Sequence, residues 1–148
     1  MSPAARGAAY WLVRGGLVAL GIAPLVPALA LGLPGLDALG RFLEAWFSFH
    51  CHREPERTLT GVAVCARCHG IYVGLGLGAL VAKPRLRPPF HEAWILAGAL
   101  LMLLDVASEA LGWRVAWWPL RLSSGVLLAY PVSVLVVRAL AGPEAAHT

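Results

Sequence analysis

One stretch decides the fold class of this chain: GGLVALGIAPLVPALALGLPGL, residues 15–36. It carries no charge over its 22 residues, and about 20 apolar residues are enough for a helix to cross the hydrocarbon core of a bilayer. The whole chain is similar in character, because 59% of its 148 residues are hydrophobic and 14% are charged, against about a quarter charged in soluble domains. The sequence therefore predicts an all-α integral membrane protein with a single domain, residues 1–148.

Three further apolar segments follow the first. Together they predict a bundle of four transmembrane helices, at about 15–36, 66–82, 93–112 and 122–138. Residues 37–49 instead place apolar side chains on one side of a helix and polar ones on the other, a pattern typical of an amphipathic helix lying at the membrane interface. We therefore expect a multi-pass protein of the cell membrane, with the lipid bilayer as its first partner.

The first apolar segment has an alternative interpretation as a cleaved signal peptide. Arg6 and Arg14 precede it, and Ala28-Leu29-Ala30 resembles a small-residue cleavage site. The segment is long for a signal peptide, however, and Pro24 and Pro27 interrupt it. Prolines are tolerated in spanning helices whose neighbours satisfy the freed backbone groups, so a retained span is the preferred interpretation.

The charge of the chain is modest and scattered. The net charge of +4 comes from dispersed arginines rather than from a block, and this argues against nucleic acid as a partner. The basic connector at 83–89 is typical of a cytoplasmic loop. It favours an orientation with both termini inside and the cysteine-bearing segment outside. Nothing in the sequence indicates an oligomeric state.

All three cysteines lie in one polar window, which reads His50-Cys51-His52 and then Cys65-Ala66-Arg67-Cys68-His69. Zinc sites use four nitrogen or sulfur ligands and often include a Cys-x2-Cys pair, because that spacing lets two sulfurs reach one ion. We expect Cys51, Cys65 and Cys68 to bind a transition metal, with zinc the expected ion. A histidine supplies the fourth ligand, and His52 is preferred over His50.

Three other interpretations of this window stay open. Cys65 and Cys68, at a helix start beside Arg67, could form a reactive thiol pair. Cys51 could then exchange disulfides with that pair, as in membrane oxidoreductases that couple thiols to quinones. Cys65-Ala-Arg-Cys68-His69 also matches the pattern for covalent haem attachment. In the third, purely structural interpretation, the cysteines fill small apolar gaps. Whether the protein is an enzyme stays open.

The third predicted span carries two acidic residues, Asp105 and Glu109, one turn apart on the same helix face. Ionisable groups inside a membrane are costly and normally face a partner or a cavity. Arg114 and Arg121 are the nearest basic residues in the sequence, and we predict that Asp105 pairs with Arg121. A structural ion pair and a substrate-binding or proton-handling role are both compatible with this pattern.

Charged residues from the cysteine window and the last two spans form a candidate polar cluster beside the metal ligands. Its members are Arg53, Glu56, Arg57, Arg67 and Arg121, with Asp105 as a further catalytic candidate. Arginine forks bind phosphate and carboxylate groups through paired hydrogen bonds. The cluster therefore predicts an anionic small molecule or a lipid headgroup as a ligand.

Two strings in the window, HCHREPER at 50–57 and VCARCHGIY at 64–72, resemble the signature of domain-of-unknown-function family 2085, a group of small prokaryotic membrane proteins. The resemblance covers roughly residues 42–130. It implies a four-helix protein and brings no known activity. The positions that it singles out are Cys51, His52, Pro55, Glu56, Arg57, Cys65, Arg67, Cys68 and Tyr72.

The resemblance extends to a later aspartate, Asp105, and to Leu120-Arg121 before a glycine. The chain departs from the family pattern at two places. His69 stands where the pattern has a threonine, which weakens the haem interpretation. Glu109 stands where a glutamine is expected, which makes Asp105 the safer candidate for a charged role.

Overall fold

The computed structural model describes residues 3–49, 62–82 and 88–141, and the regular elements in these ranges are all helical. They are α1 (Pro3–Ile22), a 3-10 turn (Ala23–Leu25), α2 (Val26–Leu31), α3 (Asp37–Ser48), α4 (Ala66–Val81), α5 (Pro88–Ala110) and α6 (Trp118–Ala141). The all-α prediction is confirmed for this part of the chain.

Within the described ranges, three segments are long and apolar enough to cross a membrane, namely Gly7–Leu31, Phe90–Ala110 and Trp118–Leu140. α4 is a shorter apolar helix of 16 residues. The prediction of membrane-spanning helices is confirmed in this coarser form, and the number of four stays a prediction. The helix predicted over 37–49 is present as α3.

The first span begins and ends earlier than its predicted bounds of 15–36. α1 includes Arg14, whose guanidinium donates hydrogen bonds to the hydroxyl of Tyr10 (2.5 Å) and to the main-chain oxygen of Leu80 (3.0 Å). These two hydrogen bonds allow the charged side chain of Arg14 to lie in an otherwise apolar helix. At the other end Gly35 has a φ of 84°, a left-handed conformation that suits glycine, and the chain turns there into α3.

α4 packs most extensively on α6. The two helices run parallel, because Gly74 of α4 lies against Val126 of α6, and Gly78, one turn further on, lies against Tyr130. A Cβ atom at Gly74 would come within 2.8 Å of the Val126 oxygen, so only a hydrogen atom fits there. Small residues that let two backbones approach this closely are typical of helix packing in membranes.

α1 and α5 run in the opposite direction to α4 and α6. Along α1 and α4, Arg14 meets Leu80 whereas Gly21 meets Gly76, so these two helices are antiparallel. α5 is antiparallel to α6, to which the short connection at 111–117 joins it. Consecutive long helices therefore alternate in direction.

The start of α4, the end of α5 and the start of α6 meet at one end of the bundle, which we name the cysteine end. The 3-10 turn reaches this end, where the amide of Ala63 donates a hydrogen bond to the Pro24 oxygen (3.1 Å). α3 reaches it as well, because Phe47 packs with Val64 and forms an edge-to-face contact with the ring of Tyr72. Four other elements thus surround the first turn of α4.

Candidate functional site

Cys65 and Cys68 flank the first turn of α4. Cys65 is the N-cap residue and has an extended backbone (φ −65°, ψ 158°), and its main-chain oxygen accepts a hydrogen bond from the amide of His69 at 2.9 Å. The N-cap residue and the third helical residue lie on the same side of a first turn. The Cys-x2-Cys spacing therefore brings both side chains to one side of the helix start, where both are half-buried and are not joined by a disulfide.

The remaining candidates in the cysteine window lie outside the described residues, namely His50, Cys51, His52, Arg53, Glu56 and Arg57. Within the described ranges, no group of three or more histidine, cysteine or acidic side chains is arranged to hold a metal ion. Two of the four predicted ligands, Cys65 and Cys68, are thus located. The metal site as a whole stays a prediction.

Asp105 is the centre of an ionic cluster at the cysteine end, and the residue is only 2% exposed. Arg67 of α4 donates hydrogen bonds to its Oδ2 atom from Nε (3.0 Å) and Nη2 (2.5 Å), and Arg114 donates from Nη2 to its Oδ1 atom. Arg114 also donates to the main-chain oxygen of Asp105 (2.9 Å) and to the hydroxyl of Ser108 (2.8 Å). One carboxylate thus links α4, α5 and the α5–α6 loop.

The second half of the cluster pairs Glu109 with Arg121. Arg121, in the first turn of α6, is 2% exposed and forms an ion pair with Glu109. The other carboxylate oxygen of Glu109 lies 3.6 Å from Nη2 of Arg67. The Nε atom of Arg121 is buried and has no hydrogen-bond partner in the part of the chain that the structure describes. Among the described residues, three guanidinium groups face two carboxylates here, so the described part of the cluster has a positive charge in excess.

The predicted pairing of Asp105 with Arg121 is wrong. α5 and α6 are antiparallel and share a short loop, so the acidic residue opposite the first turn of α6 is Glu109, one turn nearer the loop. Asp105 pairs instead with Arg67 and with Arg114. Sequence proximity identifies Arg114 as a neighbour, whereas Arg67 lies 38 residues before Asp105. Only the tertiary packing of α4 brings it to α5.

A groove of about 220 Å³ lies beside the cluster, between the end of α5 and the start of α6. Its walls are mainly apolar side chains, namely Leu101, Leu104, Ala107, Trp113 and Leu120. Asp105 and Ser108 also line it and provide its polar side. Because Leu104 and Trp113 are exposed, the groove opens on the outer surface of the bundle.

The fold and this cluster define an all-helical membrane protein with buried charges and a thiol pair at one end of its bundle. The chain belongs to the DUF2085 family of predicted membrane proteins, and the match spans residues 51–135. The matched region includes Cys65, Arg67, Asp105 and Arg121. The resemblance seen in the sequence motifs is thereby confirmed.

Two archaeal proteins are similar to this chain. "Uncharacterized protein MJ1492" of Methanocaldococcus jannaschii is 31% identical over 99 residues, which are 61% of this chain and 63% of that protein. An "Uncharacterized protein" of Methanothermobacter thermautotrophicus is 34% identical over 97 residues, which are 60% of this chain and 86% of that protein. The chain thus aligns with less than two thirds of the Methanocaldococcus protein. No solved structure matches it.

Proposed function

We propose that this membrane protein holds a zinc ion at the cysteine end, in a site formed by Cys51, His52, Cys65 and Cys68. The observation that carries the proposal is the position of Cys65 and Cys68 on one side of the first turn of α4. Two thiols at this spacing, a third cysteine and a histidine supply the four sulfur and nitrogen ligands typical of structural zinc. His52 is preferred over His50 as the fourth ligand.

The helix start that carries the thiols is fixed by contacts that need no metal. Arg67, between the two cysteines, is bound by the buried carboxylate of Asp105. Just before Cys65, the Ala63 amide is bound by Pro24. These contacts fix the backbone that carries the two thiols, so less ordering is needed when a metal binds. Zinc bound there would connect the Cys51-His52 pair to α4 and would contribute to the free energy of folding.

A thiol–disulfide oxidoreductase is the second candidate function, and the same helix start favours it. Cys65 and Cys68 lie at the positive end of the α4 dipole, which stabilises a thiolate. In such a reaction the dithiol is oxidised to a disulfide. Two electrons and two protons pass to a quinone, which becomes a quinol. Cys51 would exchange disulfides with the pair, as the sequence predicts.

Metal content and thiol count, measured on the same purified protein, separate these two functions. We expect about one zinc ion per chain, with loss of the metal in Cys65→Ser and His52→Gln. His147→Gln, which changes a histidine well separated from the motif in the sequence, is the matched control and should keep the metal. A metal-free wild-type protein with Cys65 and Cys68 joined by a disulfide would overturn the zinc proposal and support the oxidoreductase.

We further propose that α4 crosses the membrane as the fourth span. α1 leads to the cysteine end, whereas α5 begins at the opposite end, so the chain between them has to return along the bundle. α4 runs antiparallel to α1 along this path, as the contacts of Gly21 with Gly76 and of Arg14 with Leu80 indicate. Its 16 residues extend about 24 Å at 1.5 Å per residue, which approaches the thickness of a hydrocarbon core.

α3 carries the features of a helix lying flat at the membrane interface. Its exposed apolar side chains form one stripe, Leu39, Phe42, Trp46 and Phe49. The polar residues Asp37, Arg41, Glu44 and Ser48 follow a different stripe, and Gly40 and Phe47 are buried against the bundle. We propose that the apolar stripe enters the lipid while the polar stripe stays in water.

A further inference from the structure

We propose that the groove between α5 and α6 binds an anionic phospholipid, with one acyl chain along its apolar walls and the phosphate beside Arg114. The site is distinct from the zinc ligands, since none of the groove residues is a cysteine or a histidine. Charge, wall chemistry and membrane depth each support this ligand.

The charge of the cluster favours an anionic headgroup. Both carboxylate oxygens of Asp105 are already bound by arginines, so its negative charge is balanced. The side chain of Arg114 is 24% exposed and is held by Asp105 and Ser108, which line the groove. Arg114 does not itself line the groove, but it is hydrogen-bonded to two residues that do. A phosphate at the polar edge of the groove would therefore lie next to a guanidinium that is already oriented.

The walls of the groove favour a hydrocarbon chain. Leu101, Leu104 and Ala107 form one wall along α5, and Leu120 of α6 lies opposite. The apolar surface continues along α5 beyond the groove, where Leu100 and others are exposed. A chain longer than the groove would therefore stay on apolar surface. A soluble phosphate would gain nothing from these walls, so a lipid is the ligand that uses the whole site.

The groove lies at the depth where a headgroup is expected. Trp113, Trp117 and Trp118 are 77%, 60% and 51% exposed beside it. Tryptophans of membrane proteins concentrate at the level of the lipid headgroups. The polar side of the groove, next to Trp113, would then face the phosphate layer, and the leucine walls would extend into the hydrocarbon.

Native mass spectrometry of the full-length protein in detergent tests the proposal. The probes are phosphatidylglycerol and phosphatidylcholine with identical chains, each added with and without inorganic phosphate. We expect retention of phosphatidylglycerol with a preference of about tenfold, the usual effect of a charge-assisted hydrogen bond. Arg114→Gln should abolish the preference. Arg14→Gln, which changes an arginine bound at the opposite end of the bundle, is the matched control and should retain it.

A second variant keeps the test informative if Arg114→Gln folds poorly. Ala107→Trp fills the groove, leaves every arginine in place and should reduce binding of both lipids. Equal retention of the two lipids by the wild-type protein would overturn the proposal, as would an equal loss in Arg14→Gln. Displacement by inorganic phosphate would show an anion site without lipid recognition. Zinc content, measured on the same samples, should be unchanged in Ala107→Trp. The lipid proposal and the zinc proposal can therefore be refuted independently of each other.

Discussion

Arg67 of α4 donates two hydrogen bonds to one carboxylate oxygen of Asp105 in α5, at 3.0 and 2.5 Å. The same arginine lies between Cys65 and Cys68 in the first turn of its helix. The orientation of the thiol pair is therefore coupled to a buried carboxylate on another helix. A change at Asp105 should alter both the stability of the bundle and the behaviour of the cysteines.

Asp105→Asn should destabilise the protein by about 3 kcal/mol. Removing one partner of a buried ion pair costs about 3–5 kcal/mol, because it leaves an uncompensated charge. The lower value applies because the side chains of Arg67 and Arg114 are 18% and 24% exposed. Unfolding in mixed detergent micelles measures the loss, and the rate of alkylation at Cys65 and Cys68 should rise in the same variant.

Asp37→Asn is the matched control for this experiment. Asp37 is an exposed residue at the start of α3, and its substitution should change stability by less than about 0.5 kcal/mol. The alkylation rate at the cysteines should be that of the wild-type protein. A loss of stability in Asp37→Asn equal to that in Asp105→Asn would contradict a special role for the buried carboxylate.

Double-mutant cycles should show a stronger coupling between Glu109 and Arg121 than between Asp105 and Arg121. Glu109→Gln combined with Arg121→Gln should show an interaction energy of about 0.5–3 kcal/mol, since the two residues are in contact. The cycle of Asp105→Asn with Arg121→Gln should show a smaller interaction energy, because these two residues are not in contact and are linked only through Arg67 and Glu109. A larger interaction energy for Asp105 with Arg121 than for Glu109 with Arg121 would contradict the pairing of Glu109 with Arg121.

The sequence predicts the apolar centres of the helices better than their ends. The spans predicted at 93–112 and 122–138 correspond to Pro88–Ala110 and Trp118–Ala141. Both helices start earlier than hydropathy indicates, because their first turns contain prolines and polar residues. Proline suits a first turn, where its missing amide is not needed. A hydropathy pattern detects the membrane core of a helix and is insensitive to such turns.

The ionic cluster could be predicted in its members but not in its pairing. Four of its members can be recognised in the sequence as charged residues in or next to apolar spans, namely Asp105, Glu109, Arg114 and Arg121. Which arginine meets which carboxylate depends on the register of α4, α5 and α6 against one another. That register is set by close packing of the helices, for example of Gly70 against Leu122 and of Gly125 against Arg67. In the sequence, Arg67 is recognised only as a neighbour of the cysteines, whereas in the structure it donates hydrogen bonds to Asp105 of α5.

Gly74→Ala should destabilise the bundle by about 1–3 kcal/mol, the usual cost of adding a methyl group to a packed core. The new Cβ atom would lie 2.8 Å from the Val126 oxygen and 3.0 Å from the Cβ atom of Ala129, so α4 and α6 would have to separate. Gly16→Ala is the control, because a Cβ there would meet no atom of another helix within 4 Å among the described residues. Gly16→Ala should be neutral or stabilising, since alanine favours a helix. Equal thermal midpoints for the two variants would contradict the close α4–α6 contact.

The number of spans should be even, with both termini on the same side of the membrane. If α4 crosses with α1, α5 and α6, there are four crossings, and the basic connector at 83–87 favours the cytoplasm for both termini. Green fluorescent protein fused to either end of the full chain should then fluoresce. Alkaline phosphatase inserted at Gly112, in the loop at the cysteine end, should be active because it folds only outside the cytoplasm.

Termini on opposite sides would show three crossings and overturn the spanning role of α4. Two external termini would keep the four crossings and reverse the orientation, which would place Cys65 and Cys68 in the reducing cytoplasm, where metal binding is favoured over a disulfide.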